Sequence, residues 1–191
     1  MKKTLSSVTV TLFMCAFSSA HAVGLGVRLG QGGLWDDRAS NGVLGGGQLA
    51  LDVRLNTVPI AFQVASEYWN TGSLDDPYEI ESYEAVKVLV TQQIGNLMSF
   101  LYTKPVVRKT DYLYLGAGIG RISVPKIENP DERERCVAYD AVGGVHIGIF
   151  WKLGLFAEGK YLYSSKTIDN IKVIDFSDFG ILAGVSLIFD L

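Results

Sequence analysis

Residues 141–163 contain two neighbouring stretches in which apolar side chains alternate with polar or small ones. One face of this pair is apolar and carries Val145, Ile147, Ile149, Trp151, Leu155, Ala157, Tyr161 and Tyr163. The opposite face carries Gly144, His146, Gly148, Lys152, Glu158 and Lys160. Because successive side chains of a strand point to opposite sides of a sheet, the pattern predicts two strands joined by a tight turn near Lys152. The apolar face is then either the core of a soluble protein or the outside of a membrane barrel.

The same alternation recurs in six further segments, which are residues 23–30, 49–56, 60–67, 86–91, 112–124 and 181–191. The segment that begins at residue 86 is the least regular, and its extended run reaches Tyr102 with a predicted bulge near Gly95 and Asn96. After residue 22 no stretch approaches the 18 or more uninterrupted apolar residues of a membrane helix. The chain is therefore predicted to form eight strands.

The predicted connections alternate in length along the chain. Those predicted to be long are residues 31–47, 70–80, 125–135 and 164–175, those predicted to be short are 57–59 and 151–154, and 103–111 is intermediate. An up-and-down meander would place all the long loops at one end, which is the pattern of a transmembrane barrel. The sequence thus predicts an all-β fold, an eight-stranded antiparallel up-and-down transmembrane β-barrel.

The polar faces of the predicted strands suggest what fills the barrel. An interior charge network is predicted from Arg28, Asp52, Arg54, Glu67, Lys152, Glu158, Lys160 and Asp190. Side chains fill the interior of an eight-stranded barrel, and buried charges must be paired, so the network is interpreted as structural. A narrow gated ion path along the same residues is the alternative. Aromatics near strand ends are predicted at the membrane interfaces, namely Trp69, Tyr102, Tyr112, Trp151, Tyr161 and Tyr163.

Residues 1–22 have the plan of a secretory signal peptide. Lys2 and Lys3 precede a short apolar run, and Ala20-His21-Ala22 is a small-x-small cleavage site. Residues 23–191 would then form the barrel domain and keep one cysteine, Cys136, so no internal disulfide is expected. With 17 basic and 20 acidic residues, the chain is not expected to bind nucleic acid.

Four stretches carry a resemblance to a known family: residues 112–120 (YLYLGAGIG), 142–145 (VGGV), 155–158 (LFAE) with Tyr161, and 184–189 (GVSLIF). Through them the chain resembles the small outer-membrane β-barrels of Gram-negative bacteria, of the OmpA and OmpX types. The resemblance implies an outer-membrane location. It also implies contact with outer-membrane lipid and lipopolysaccharide, and delivery by periplasmic chaperones and the outer-membrane insertion machinery.

The expected role is structural or surface-interacting: a barrel without an open pore that displays four extracellular loops whose ligand is not specified. A lipid-modifying enzyme of the lipid A deacylase type is one alternative. The sequence pattern of such enzymes resembles a histidine two residues before a serine, but in this chain the residue two positions after His146 is Gly148. A soluble periplasmic lipocalin-like barrel is the other alternative. No catalytic residue, cofactor or metal site is predicted. Acidic residues cluster at positions 75–81 and 128–134, but neither cluster has the spacing of a calcium-binding loop.

Overall fold

The computed structural model describes residues 23–36, 42–55, 58–70, 79–94, 111–125, 132–168 and 171–190. The strands are β1 (Val23–Trp35), β2 (Val43–Leu55), β3 (Ile60–Asn70), β4 (Glu79–Gln93), β5 (Tyr112–Pro125), β6 (Arg133–Phe150), β7 (Leu153–Ile168) and β8 (Ile171–Asp190). Each strand pairs antiparallel with its sequence neighbours, and β1 also pairs with β8, which closes the barrel. The predicted eight-stranded antiparallel up-and-down barrel is confirmed. Residues 1–22 lie outside the described residues.

Alternation along each strand separates a luminal face from an outward face. In β3, buried Gln63 and Glu67 alternate with exposed Phe62 and Val64. The outward face of the barrel forms an apolar band, whose members include Leu29, Leu49, Phe62, Val64, Val86, Val88, Val90, Leu113, Leu115, Ile119, Leu155, Ile181, Val185 and Leu187. Leu115 is 70% exposed, although large aliphatic side chains are usually buried in soluble proteins.

Both termini of the described barrel lie at one end, which we call the terminal end, because the strand number is even. The opposite end, which we call the connection end, carries the links β1–β2, β3–β4, β5–β6 and β7–β8. Outward aromatics flank the apolar band. Trp35 and Phe179 stack with their ring centroids 5.7 Å apart towards the connection end, and Trp151 is exposed at the terminal end.

Two of the aromatics predicted at the membrane interfaces lie inside the barrel instead. Trp69 and Tyr112 are buried, whereas Trp151, Tyr161 and Tyr163 are exposed on the outward face. The reason is strand parity: Trp69 is two residues from luminal Glu67, and Tyr112 is two residues from luminal Tyr114. Tyr102 lies outside the described residues.

The prediction of a long loop over residues 164–175 is wrong, because β7 continues to Ile168 and β8 begins at Ile171. The other loops predicted at this end are also shorter, since β1 reaches Trp35 and β6 begins at Arg133. Beyond the apolar band the outward positions become polar, as at Ser165 and Ser177. The hydrophobic alternation ends there, while the backbone ladder between the strands continues.

The expected sorting of loops by length fails at the β7–β8 link, which lies at the connection end and leaves only residues 169–170 between the two strands. The link between β4 and β5 includes residues 95–110, which lie outside the described residues together with the bulge predicted at Gly95 and Asn96. A register irregularity occurs in the β3–β4 pair, between Glu67 and Trp69. No helix among the described residues is long and apolar enough to cross a membrane.

Candidate functional site

The lumen holds a cluster of buried charges that is centred on Glu67 of β3. Lys160 donates a hydrogen bond to Oε2 of this carboxylate. Nζ of Lys87 lies 3.3 Å from Oε1, and the Gln48 amide donates to the same oxygen over 3.0 Å. Three other strands thus place donors on one carboxylate, which satisfies a charge that would be costly to bury alone.

Lys87 and Lys160 extend the cluster across the barrel to Asp140 of β6. Nζ of Lys87 lies 3.0 Å from the Asp140 carboxylate, and Nζ of Lys160 lies 3.6 Å from the same oxygen. Lys87 is also 3.9 Å from Glu158. The two lysines therefore lie among three carboxylates, which ties β3, β4, β6 and β7 together through the lumen.

Arg28 of β1 forms the second half of the cluster. Its Nε lies 2.5 Å from Oδ2 of Asp52, and its guanidinium stands 4.5 Å from the centre of the Tyr114 ring. The Tyr114 hydroxyl donates to Glu158 over 2.9 Å, and the Gln63 amide donates to Asp52 over 2.9 Å. Because Glu158 contacts both halves, the charges form one continuous network.

The middle of the lumen holds three buried cations, Arg28, Lys87 and Lys160, and four buried anions, Asp52, Glu67, Asp140 and Glu158. Each of these charges lies within 4 Å of an opposite charge of the same set. Loss of one member leaves another buried charge without its partner, which is costly.

The structure brings five of the eight predicted network residues together: Arg28, Asp52, Glu67, Glu158 and Lys160. Arg54 lies nearer the terminal end, with its guanidinium 5.3 Å from the centre of the Tyr112 ring. Asp190 pairs through its backbone with Gly24, and its side chain is not among those the structure describes.

Lys152 lies in the β6–β7 turn and not in the network. Its ammonium stands 5.0 Å from the ring centre of Trp151 and 4.6 Å from that of Phe189. Alternation does not carry through this turn, because the β6–β7 register shifts after Gly148 and Trp151 has a positive φ of 50°. Counting alternate residues across the turn therefore assigns Lys152 to the wrong side.

The predicted network omitted Lys87 and Asp140, which hold its two halves together. Lys87 alternates with Val86 and Val88 along its strand, so the sequence pattern does indicate that it faces the interior. Asp140 precedes the stretch in which the alternation is clear, and its contact with Lys87 depends on barrel closure. Pairing across the lumen cannot be obtained from a single strand pattern.

Two apolar clusters enclose the network along the barrel axis. Towards the connection end the lumen is filled by a group that includes Leu34, Leu44, Trp69, Ile80, Ile122, Val124 and Leu162. Towards the terminal end it is filled by Ala61, Leu89, Tyr112, Tyr114, Val142 and Ile188. Gly46 makes room for the first group, since a Cβ there would lie 2.5 Å from the Trp69 ring. The charges are thus separated from both mouths.

A histidine and a serine also meet in the lumen, near the terminal end. Nε2 of His146 lies 2.5 Å from Oγ of Ser186, and its ring stacks on Tyr112 with centroids 4.9 Å apart. Asp111, close by in the fold, accepts a hydrogen bond from the Gly148 amide over 2.8 Å. The deacylase pattern requires its serine at position 148, which is a glycine in this chain, and the serine beside His146 comes from β8 instead. Both side chains are buried, so a substrate has no route to the hydroxyl in this conformation.

No protein-family model matches the sequence, and no curated protein matches it. Among solved structures, Neisserial surface protein A (NspA) has 15% sequence identity and a TM-score of 0.54 over 86% of this chain and 96% of that one. Ail of Yersinia pestis, in complex with the heparin analogue sucrose octasulfate, has 14% identity and a TM-score of 0.49 over 88% and 98%. A major outer membrane protein from Thermus thermophilus has 12% identity and a TM-score of 0.48 over 88% and 100%.

The likeness to NspA defines the class of fold, the closed eight-stranded up-and-down barrel. The resemblance to the small outer-membrane barrels is confirmed at this level. Within the described part of the chain, no group of three or more His, Cys, Asp or Glu residues is arranged to hold a metal ion.

Proposed function

We propose that the protein is an outer-membrane β-barrel with a sealed lumen, whose role is to form a stable scaffold and present a surface outside the cell. The observation that carries this proposal is the distribution of polarity: charges lie inside the barrel and large apolar side chains lie outside. A membrane barrel needs this arrangement, because its outer wall contacts hydrocarbon and its strands leave no open edge.

The same observation argues against a soluble lipocalin-like barrel. Such a protein would carry an apolar ligand cavity inside and a polar surface outside. Here Leu115, Phe150 and Trp151 are each at least 70% exposed, and Arg28, Lys87 and Glu67 are buried. Apolar surface of this extent is unfavourable in water, at roughly 25 cal/mol for each Å².

The lumen supports a closed barrel in preference to an ion path. The charged network is paired within itself, and the apolar clusters described above lie between it and each mouth. An ion would have to break these pairs and cross the apolar clusters. We therefore propose that the barrel does not conduct ions.

The proposal also covers how the chain reaches the outer membrane and which end of the barrel faces the outside of the cell. Residues 1–22 would direct the chain across the inner membrane, and chaperones and the insertion machinery would deliver it. The terminal end would then face the periplasm. The connection end would face outwards, where β6, β7 and β8 continue past the apolar band and an ion pair joins Glu134 to Lys166. Lipopolysaccharide would surround this rim, and any surface partner would meet the loops here.

We further propose that the barrel is not an enzyme. The His146–Ser186 pair is the strongest feature in favour of a lipid-modifying activity, because a histidine next to a serine hydroxyl is how hydrolases activate a nucleophile. Its buried position, and the tyrosine stacked on the histidine, support a structural role.

The test is semi-native gel electrophoresis of outer-membrane fractions, unheated and boiled, followed by conductance measurements in planar lipid bilayers. We expect the protein in the outer-membrane fraction, a mobility shift on boiling, and no conductance. Recovery in the soluble periplasm without a shift would contradict the membrane location. Steady ion conductance by the folded protein would contradict the sealed lumen and leave the location intact.

A further inference from the structure

Two oppositely charged side chains lie side by side on the outward wall of the barrel. Glu84 of β4 and Arg121 of β5 are register partners, and both are exposed. They face outwards, because their neighbours along the strands, Tyr83 and Ile122, are buried in the lumen. Residues directly opposite each other in an antiparallel pair have their Cβ atoms about 5 Å apart. Even so, neither charged side chain has a hydrogen bond or an ion pair with a described residue.

The two charges lie at the level of exposed tyrosines on the flanking strands. Tyr68 of β3 lies two residues beyond the register partner of Glu84, and Tyr139 of β6 pairs with the residue two positions before Arg121. Outward tyrosines are typical of a membrane interface. On the described parts of β4 and β5 no aromatic side chain faces outwards, so the charges interrupt this belt. Charged groups near hydrocarbon are costly, and those in membrane proteins usually have a partner.

Towards the terminal end, the same two strands form an exposed apolar surface below the charges. Its rows pair Val86 with Ile119, Val88 with Ala117 and Val90 with Leu115. Ala117 also pairs with Ala141 of β6, so two small side chains lie next to each other in this surface. Small residues allow membrane-embedded elements to approach each other closely.

The pair of charges is complementary to a second copy of itself. Two barrels inserted in the same orientation can be related by a two-fold axis parallel to the barrel axis. Such a rotation places β4 of one copy opposite β5 of the other, so each Glu84 faces Arg121 of the other copy. In a two-fold interface the same patch serves both subunits, and every contact occurs twice. Register partners of opposite charge on two neighbouring strands meet this requirement.

We propose that the outward faces of β4 and β5 form a two-fold interface with a second copy of this chain, an inference that rests on the proposed membrane location. Each Glu84 pairs with Arg121 of the other copy, and the apolar rows of the two copies pack below these pairs. An anionic lipid headgroup could neutralise Arg121, but it would then lie beside the carboxylate of Glu84. A second copy neutralises both charges at once.

The test is disulfide cross-linking in intact outer membranes between two copies of the full chain that carry tags of different size. One copy carries Val86→Cys and the other Ile119→Cys, which the two-fold arrangement places opposite each other. Both copies carry Cys136→Ser, so the introduced thiols are the only ones in the mature barrel. Boiled non-reducing gels give the fraction of linked pairs. We expect cross-linking between copies that keep their natural charges.

Charge variants of the same two copies then test the pairing. Cross-linking should fall roughly tenfold when both copies carry Glu84→Lys or both carry Arg121→Glu, because like charges then face each other. It should return when one copy carries Glu84→Lys and the other Arg121→Glu, since opposite charges meet again. Pairing within a single barrel cannot produce this recovery. The matched control is Gln31→Lys in both copies, which adds a charge to exposed Gln31 on the opposite wall and should change nothing.

Three results would overturn the proposal: no cross-linking between copies with natural charges, cross-linking that the charge variants leave unchanged, or no recovery in the mixed pair. A cross-link to a different membrane protein, and none to the second copy, would also overturn it. If a charge reversal prevents folding, Glu84→Gln and Arg121→Gln provide a milder comparison, in which cross-linking should fall without repulsion. The boiling shift of the same samples distinguishes these failures from failure of the barrel or of its membrane location.

Discussion

Lys160 and Glu67 form a buried ion pair although 93 residues separate them along the chain. The contact exists only when β3 and β7 face each other across the closed lumen. Lys87 and Gln48 share the same carboxylate, so Glu67 has donors from three strands besides its own. Glu67 is therefore the residue on which the luminal network depends most.

Replacement of Glu67 by Gln should destabilise the folded barrel by about 3–5 kcal/mol, because it leaves two buried lysines with one carboxylate fewer. Equilibrium unfolding in denaturant, with the protein inserted in lipid vesicles, measures this loss. The double variant Glu67→Gln with Lys160→Met should recover part of it, since the lysine that lost its carboxylate is then removed as well.

A matched control is the ion pair of Glu134 and Lys166 at the rim, where both side chains are partly exposed. Lys166→Met should cost less than about 1 kcal/mol, because water screens exposed pairs. Equal losses from the luminal and the rim substitutions would show that the lumen is hydrated, contrary to the sealed arrangement proposed above.

Gly46 and Gly45 are neighbours on β2, but only Gly46 lacks the space for a larger side chain. A Cβ on Gly46 would lie 2.5 Å from the Trp69 ring, whereas the nearest atom to a Cβ on Gly45 is the Asn70 oxygen at 3.9 Å. Gly46→Val should therefore cost roughly 1–3 kcal/mol or prevent folding, because a packed interior does not tolerate added volume.

Gly45→Val should be neutral or slightly stabilising, since valine favours strands. The fraction of each variant that shows the folded band on an unheated gel gives the comparison. The packing of Trp69 described here is incorrect if Gly46→Val folds as well as Gly45→Val.

The strand pattern predicted most of this fold because alternation depends on local sequence. It failed where the outward residues become polar. Ser165 and Ser177 belong to β7 and β8, but the sequence around them has polar residues on both faces of the strand, a pattern that predicts a loop.

The lumen shows a second limit of the sequence. The alternation along each strand correctly predicts that Arg28, Asp52 and Glu67 lie inside the barrel. Their partners depend on the register across seven pairs of strands and on the β1–β8 closure, so the role of Asp140 could not be derived from any one strand. Trp69 was misplaced for a different reason: it lies near the end of β3, as an interface aromatic would, but it shares the luminal face with Glu67.

Experiments on the His146–Ser186 pair can distinguish a structural role of this hydrogen bond from a catalytic one. We expect Ser186→Ala to lower the free energy of unfolding by about 1 kcal/mol, the usual contribution of one buried hydrogen bond. We also expect the folded wild type to resist a fluorophosphonate probe, because both side chains are buried. Mass spectrometry of the probe-treated protein gives the labelled fraction. Covalent labelling at Ser186 that the Ala variant abolishes would favour the lipid-modifying alternative.

Cys136 offers a direct measure of whether the connection end of the barrel is closed. Its Sγ lies 3.0 Å from Oγ of Ser164, which in turn donates to the Val137 carbonyl over 2.8 Å, and the cysteine belongs to the apolar cluster near this mouth. A membrane-impermeant maleimide should therefore leave the thiol unmodified in folded protein and modify it after boiling in detergent.

Replacement of the outward residue Val137 by Cys, in a chain with Cys136→Ser, provides the control. Val137 is 48% exposed at nearly the same height, so its thiol should react without boiling if it lies above the lipid surface. Rapid modification of Cys136 in the folded wild type would mean that this mouth opens, and the apolar cluster would then be a gate that moves and not a permanent seal.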